Sequence, residues 1–537
     1  MKLSSSKQTL LAGAIAAACA VAPLTASAAS HDPQQPNVLV VIMDDLGTGQ
    51  LDFTLDTIDK ELLSQRIISE RYDGDMDKLI DAAKRAMPNV TKMAADGVKM
   101  TNAFVAHPVC GPSRAGIFTG RSPANFGIYS NDDAIHGIPL DVTLLPKLFQ
   151  DNGYYTANIG KWHNAKKAGK NRIAEELRTR DYHDNEIVVP APGYAPDERG
   201  FDYSYSYYAS GAALWNTPAI WRNGVNVPAP GYLTHNLTNE TLTAIKTSGD
   251  KPFFINLAYS VPHIPLEANS PAKYMDKFNT GNVEVDKYFA SLNAADEGVG
   301  KILAFLKQRG ELDNTMVFFL SDNGAVHESP MPQNGMDRGH KGRLFNGGVR
   351  IPFIVQWPQA IPAGGYSDSL VSAMDIIPTA LAAANIDIPA SLQVEGRDIL
   401  PVLSGKTTVS PHQYLYWAGP DAKHYSDENM QFWKDYRKWI TFETNEKAKN
   451  PNLERLSNSA WAIRDQEWAL YFADDGSNEL KLFNDKLDPM ESKNQASQYP
   501  QRVKKMKAAF YEWIKTKPKP VAWGQTKYQM LTQSAKP

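Results

Sequence analysis

The chain has 537 residues, with 56 Lys plus Arg against 59 Asp plus Glu, so its formal net charge is −3. That balance excludes a global field for nucleic acid or any other polyanion, and affinity for an anion must come from local basic groups. Two cysteines, Cys19 and Cys110, exclude a disulfide framework, and the length suggests about three domains.

Residues 1–28 read as a secretory signal peptide. Lys2 and Lys7 give a positive start, residues 10–24 are mostly apolar, and Ala26-Ser27-Ala28 fits a small-residue cleavage site. Cys19 raises the reading of a lipid anchor, but Ala16 stands where a bulkier aliphatic residue is usual. A periplasmic or secreted protein without that anchor is expected. No later stretch holds the roughly 18 apolar residues that a membrane span requires. Once the leader is gone, Cys110 has no intramolecular partner. A lone thiol in an oxidising compartment is either buried and inert or kept for its chemistry.

Residues 37–43 (NVLVVIM) form a continuous apolar run, the pattern of a strand buried on both faces, and stop at Asp44-Asp45. The same grammar recurs at 154–159 before Gly160-Lys161-Trp162-His163, at 251–259 before Val261-Pro262-His263, and at 315–320 before Asp322-Asn323-Gly324. In open α/β sheets, ligand sites lie beyond the carboxyl ends of the strands, so these four ends are expected to converge. Helical patterns lie between them, at 76–86, 89–97 with Asn89 as a cap, 143–152, 285–309 and 374–385. The alternation predicts the α/β class over residues 29–410, with a large doubly wound mixed sheet flanked by helices. An acidic, mostly helical insertion at 48–86 either walls the cleft as a lid or decorates the domain edge. Short strand-like pieces (YLYW, WAIRD, WALYF, KLFND) and an amphipathic helix near 500–515 predict a smaller α+β subdomain over 411–525. Residues 526–537 read as a loose tail. Sequons at Asn89, Asn236 and Asn239 are incidental behind a bacterial-type leader.

The stretch Cys110-Gly-Pro-Ser-Arg114 carries the sharpest chemistry. Pro112 favours a helix start, which puts the Cys110 sulfur where backbone N–H groups attract anions and lower a thiol's pKa. Arg114, four residues on, shares its face. Sulfur, guanidinium and helix start together suit a tetrahedral oxyanion. Asp44, Asp45, Asp322 and Asn323 offer oxygen ligands, which suit a hard cation rather than zinc.

C-x-P-S-R followed by Thr119-Gly120-Arg121 resembles the signature of the formylglycine-dependent (type I) sulfatases of the alkaline phosphatase superfamily. VIMDDLG, GKWH, VPHIP, SDNG and KGRLFNGGVRIPF follow in that family's order, and WAIRDQEWALY with LFNDKLDPMESKN resembles its C-terminal subdomain. The resemblance implies an alkaline-phosphatase-like fold and a sulfuric ester hydrolase. It implies that Cys110 is oxidised to formylglycine by a formylglycine-generating or anaerobic sulfatase-maturating enzyme, and that the aldehyde hydrate is the nucleophile. It favours Ca2+, held by Asp44, Asp45, Asp322, Asn323 and the residue at Cys110. Arg114 and Lys161 would hold the diol and a sulfate oxygen, and Lys341 sulfate near the leaving oxygen. His263 would act as acid and His163 as base. Gly111 and Phe118 depart from the family's usual small polar residue and leucine, and Asn164-Ala165 from its leucine-glycine.

For the substrate, a sulfated carbohydrate is expected, such as a marine polysaccharide of the carrageenan or ulvan kind. Arg338, His340 and Trp215 are candidate contacts, with Asn131–Asp133 behind them. Trp215 closes an aromatic stretch at 201–216 that suits sugar stacking or core packing. The basic run Lys161, Lys166, Lys167, Lys170, Arg172, Arg178 and Arg180 either grips a polysulfated chain or forms a solvated face. A phosphate or phosphonate ester hydrolase of the same superfamily, and an inactive glycan-binding scaffold, remain as alternatives.

Overall fold

The computed structural model describes residues 35–536 apart from 57, 60, 62–74, 173–185, 264–269, 327–333, 423–434, 436–443, 445, 447–456, 474–475 and 478. The expected signal peptide with Cys19, Arg178 and Arg180 of the basic run, and the middle of the 48–86 insertion therefore lie outside the described residues.

The principal sheet is built from β1 (Asn37–Met43), β2 (Val98–Met100), β3 (Tyr155–Lys161), β4 (Tyr203–Tyr207), β5 (Trp215–Arg222), β6 (Val225–Tyr232), β7 (Phe253–Ala258), β8 (Thr315–Ser321), β9 (Phe353–Gln356) and β10 (Gly365–Ser367). Its ten strands run in the order β10-β2-β9-β8-β1-β7-β3-β4-β5-β6. The centre, β8-β1-β7-β3-β4, is parallel, and the antiparallel pairs β8-β9 and β4-β5 begin the flanks. The apolar runs predicted at the four catalytic strand ends are thus adjacent parallel strands, and every residue of β1, β7 and β8 is buried.

Helices cover both faces because the alternate residues of each central strand are apolar on both sides. Leu39, Val41, Ile255, Leu257, Val317 and Phe319 pack in one core with α1 (Met76–Ala86), α2 (Pro88–Ala95), α4 (Leu233–Ser248) and α5 (Val283–Gln308). Val38, Val40, Ile42, Phe254, Phe318 and Leu320 pack in the other with α3 (Cys110–Thr119) and α6 (Ile376–Ala383). Asn89 does not cap α2. Pro88 takes the first helical position, and Asp296 of α5 does the capping, accepting from Val90 N at 2.9 Å and from Asn89 Nδ2 at 2.7 Å. In the described parts of the insertion, Leu51, Leu55 and Leu79 join the α5 side of the core, and Thr48 Oγ1 donates to Asp337 Oδ2 at 3.1 Å.

The C-terminal subdomain is an antiparallel sheet in chain order, β11 (Leu415–Ala422), β12 (Ser457–Arg464), β13 (Trp468–Ala473) and β14 (Leu480–Asn484), with α7 (Pro500–Ile514) against it. The described part of 526–537, through residue 536, is not a loose tail. Helix α8 (Gln525–Ser534) docks on this sheet through Tyr528, Leu531 and Ala535, an apolar stripe at helical spacing, and Trp461 Nε1 donates to Ser534 Oγ at 3.0 Å. Leu531 is fully buried. Replacing it by Ala is expected to lose about 2–5 kcal/mol, measured as a fall in the urea midpoint.

Candidate active site

Adjacent parallel strands bring their carboxyl ends together, and short backbone bonds stitch them. Asp44 N donates to Val261 O at 3.2 Å, Tyr259 N to Ile42 O at 2.9 Å, and Asp322 N to Met43 O at 3.1 Å. Asp45 N donates to Asp322 Oδ1 at 3.2 Å, and Leu46 N to Ser321 Oγ at 2.8 Å. Asp45 (φ 70°) and His163 (φ 57°) sit in the left-handed region, strain of about 1–3 kcal/mol that persists only where the surroundings enforce it.

Helix α3 starts at Cys110 and is buried along its whole length. The glycine at 111 has a local reason: a Cβ there would meet Ala134 Cβ at 2.6 Å and Asn131 Oδ1 at 3.2 Å. Asn131 instead accepts from Gly111 N at 3.1 Å, so this expected substrate candidate braces the helix start. One turn on, Arg114 Nε donates to Asp322 Oδ2 at 2.9 Å and Nη1 to Lys161 O at 3.0 Å. The Lys161 ammonium lies 2.8 and 2.7 Å from the two oxygens of Asp44. Lys341 Nζ pairs with Asp45 at 2.8 and 2.9 Å, and His263 Nε2 lies 3.5 Å from Asp45 Oδ2. Nine of the ten residues predicted for catalysis and metal binding are joined by these contacts or by those of Asn323 and Cys110 below. His163 is buried beside them, within the fields of Lys161, Arg114 and Lys341.

The arrangement fits a divalent cation. Ligand atoms of Asp44, Asp45, Cys110 and His263 lie within 4.8 Å of one another. Asn323 Nδ2 donates to Asp45 Oδ1 at 2.6 Å, while Asn323 Oδ1 is buried and has no hydrogen-bond partner among the described residues. An orphaned amide oxygen among carboxylates is an unmet ligand for a hard ion.

Burial and charge push the titrations apart. Desolvation raises the Asp44 carboxyl to about 7 despite Lys161. Burial pushes Asp45 the same way, but Lys341, His263 and Lys161 outweigh it and hold it well below the usual range. Burial also raises the Cys110 thiol, and Lys161 and Lys341 overcome it, bringing the thiol down to about 7. The two histidines part in opposite directions. Burial and the cations Lys161, Arg114 and Lys341 hold His163 well below its ordinary value, as a neutral ring. For His263, burial and Lys341 work downward, yet Asp45 and Asp44 carry it above its ordinary value, towards the imidazolium. Environments that separate two like groups this way are suited to one base and one acid.

The loop carrying Lys341 is held by the C-terminal subdomain. Asp421 of β11 accepts from Leu344 N at 3.2 Å, pairs with Arg343 at 3.1 Å and accepts from Tyr471 Oη at 2.7 Å. Glu491 Oε2 accepts from Asn346 N at 2.9 Å, and its carbonyl accepts from Arg338 Nη1 at 2.8 Å. Arg464 bonds Asn346 Oδ1 and Asp485, and Arg338 lies over the Phe345 ring at 4.2 Å. Arg338, expected to touch substrate, is thus engaged in the subdomain contact. His340 Nδ1 pairs with its neighbour's carbonyl, Lys341 O, at 2.8 Å. Trp215 lies on the edge hairpin, its ring 5.2 Å from that of Tyr232. Sequence reasoning missed Asp421, Glu491 and Arg464, since buried charge has no spacing signal. Only the position of Arg464 and Glu491 inside the C-terminal motifs pointed to them.

A doubly wound sheet with carboxylates, lysines and a cysteine-headed helix at its carboxyl edge defines a hydrolase of the alkaline phosphatase superfamily. Within it, the chain belongs to the sulfatase family: the model described as Sulfatase matches residues 36–386. A second model, N-sulphoglucosamine sulphohydrolase, C-terminal, matches residues 340–452. The sulfatase YdeN of Escherichia coli (strain K12) is 41% identical over 491 residues, covering 91% of this chain and 87% of its own. The N-acetylgalactosamine-6-sulfatase of Homo sapiens is 29% identical over 433 residues, covering 77% of this chain and 74% of its own. Ps i-CgsB solved in complex with k-i-k-neocarrahexaose shares the fold, with a TM-score of 0.67 and 24% identity over 94% of this chain and 98% of that one. The protein is a sulfuric ester hydrolase. Among the described residues, no helix is long and apolar enough to cross a membrane.

Two outcomes are expected. Ca2+ at a hundredfold excess over its Kd should stabilise ion-stripped protein by about 2.7 kcal/mol, read as a rise in thermal midpoint, and Asp45→Ala should abolish that rise. Glu491→Ala should destabilise the fold by about 3–5 kcal/mol in urea titration, because it removes the carboxylate 3.7 Å from the buried Arg464 guanidinium.

Proposed function

We propose that the enzyme releases inorganic sulfate from a sulfated saccharide, using a formylglycine made from Cys110 and a bound Ca2+. One observation carries the reading: the side chain at Cys110 heads a buried helix inside a balanced ring of Asp44, Asp45 and Asp322 with Arg114, Lys161 and Lys341. Such a ring has cations to spare for a sulfate once a metal takes the carboxylates. Asp44, Asp45, Asp322, Asn323 and the residue at Cys110 would hold the ion. When bound, the ion and the aldehyde hydrate supply a Lewis acid and a hydroxyl nucleophile.

The chain's own residues do the rest. Arg114, fixed by Asp322 and the Lys161 carbonyl, presents its guanidinium at the helix start. Lys161 and Lys341 bind sulfate oxygens, fixed positive groups aimed where charge develops. His263, held towards the imidazolium, gives its proton to the departing alcohol oxygen. His163, held neutral, takes the proton whose loss expels sulfate.

Support for a saccharide comes from relatives whose names carry sugars: the human N-acetylgalactosamine-6-sulfatase and Ps i-CgsB with its bound neocarrahexaose. A carrageenan-type chain is the first substrate to test. Trp215, 38% exposed at the start of β5, belongs on a sugar-binding rim, because β5 runs antiparallel to β4 and its first residues extend past the catalytic edge. Maturation by a formylglycine-generating or anaerobic sulfatase-maturating enzyme, and export through residues 1–28 to the periplasm or beyond, complete the reading.

Released sulfate should be measured from carrageenan and glycosaminoglycan oligosaccharides beside an aryl phosphate, with mass spectrometry of the peptide spanning Cys110. An unmodified thiol in fully active enzyme overturns the reading, and faster turnover of the phosphate shifts it to phosphate esters. His263→Ala should lose about 10²–10⁴-fold in kcat on a sugar sulfate but much less on 4-nitrophenyl sulfate, whose leaving group needs no proton.

A further inference from the structure

Tyr207 ends β4, and no role described so far uses it. It is fully buried, and among the described residues its hydroxyl has no hydrogen-bond partner. A buried unpaired hydroxyl is costly, and its survival points to a partner acquired in another state. The register sets Tyr207 directly beside Lys161 of β3, so the two side chains leave the sheet on one face. Trp162 N donates to Tyr207 O at 3.0 Å and fixes that register at the strand end. From the same face Lys161 reaches Asp44 at 2.8 and 2.7 Å. Burial first, and then the charges of Asp44, Asp322 and Cys110, outweigh the downward pull of Arg114, so the phenol stays protonated and is a donor.

Asp44 has both oxygens on the Lys161 ammonium. With a divalent ion held by that carboxylate, the Lys161 ammonium would be free to turn to the sulfate. The carboxylate would lose its donors in a place closed to water, and the Tyr207 hydroxyl is an orphaned donor on the same face, with Asp44 the foremost charge acting on it. We propose that Tyr207 is a positioning residue for the calcium ligand Asp44: its O–H donates to the carboxylate once the ion displaces Lys161, and so fixes the oxygen that faces the ion. The inference rests on the Ca2+ reading above and extends it to the outer shell.

The test is calorimetric titration of CaCl2 into EDTA-stripped protein, wild type beside Tyr207→Phe, with the thermal midpoint of each in its ion-free form. The Kd for Ca2+ is expected to rise about 10- to 100-fold in the variant. Its ion-free midpoint should match the wild type or exceed it, since the change removes an unpaired buried hydroxyl. Equal Ca2+ affinities overturn the assignment. A lower ion-free midpoint overturns it too, because the hydroxyl would then have a partner before any ion arrives. A wild type that binds no Ca2+ is a different failure, and it removes the calcium reading itself.

Discussion

Three carboxylates buried at one point are the constraint that organises this molecule. Asp44, Asp45 and Asp322 leave neighbouring strands within a few residues of one another and are closed from solvent. An unpaired buried charge costs several kcal/mol, so each must have a cation. Arg114 answers Asp322, Lys161 answers Asp44 and Lys341 answers Asp45. Each cation comes from a different element, and the fold places those elements accordingly: helix α3 starts one turn before Arg114, β3 ends on Lys161, and a clamped loop presents Lys341. The same cancellation would leave a set of positive groups ready for an anion if a metal took over the acids.

Much of this was legible in the sequence, because the residues that position the site follow strong local rules. Largely apolar runs ending in polar residues identified β1, β3, β7 and β8, and parallel packing made their ends meet. The proline after Cys110 marked the start of α3. What could not be read lies where side chains from distant segments meet. Asp296 caps α2 from another helix, so the local Asn89 signal was misleading. The stripe Tyr528, Leu531, Ala535 is sparse and flanked by polar residues, and only the presence of Trp461 and its sheet makes it a docking face. The opposed protonation of His163 and His263 depends wholly on which charges surround each ring.

The C-terminal subdomain is more than an appendage. Asp421 and Glu491 accept from the backbone of Leu344 and Asn346, and Arg464 bonds the Asn346 side chain, which grips the chain on one side of Lys341. These are charged groups in a dry interface, where hydrogen bonds to backbone N–H groups fix geometry more tightly than apolar packing does. Arg338 was a candidate substrate contact. Its place over Phe345 and its bond to the Glu491 carbonyl make it part of the scaffold behind Lys341.

Cys110 is 1% exposed and lies in a helix that is sealed along both sides. Any enzyme that rewrites this side chain must therefore meet it on an extended, unfolded polypeptide. The fraction of competent molecules would then be decided before folding, which makes that outcome permanent. A host short of the modifying activity would accumulate stable, well-packed protein that is chemically silent, and no later treatment of the folded product would awaken it.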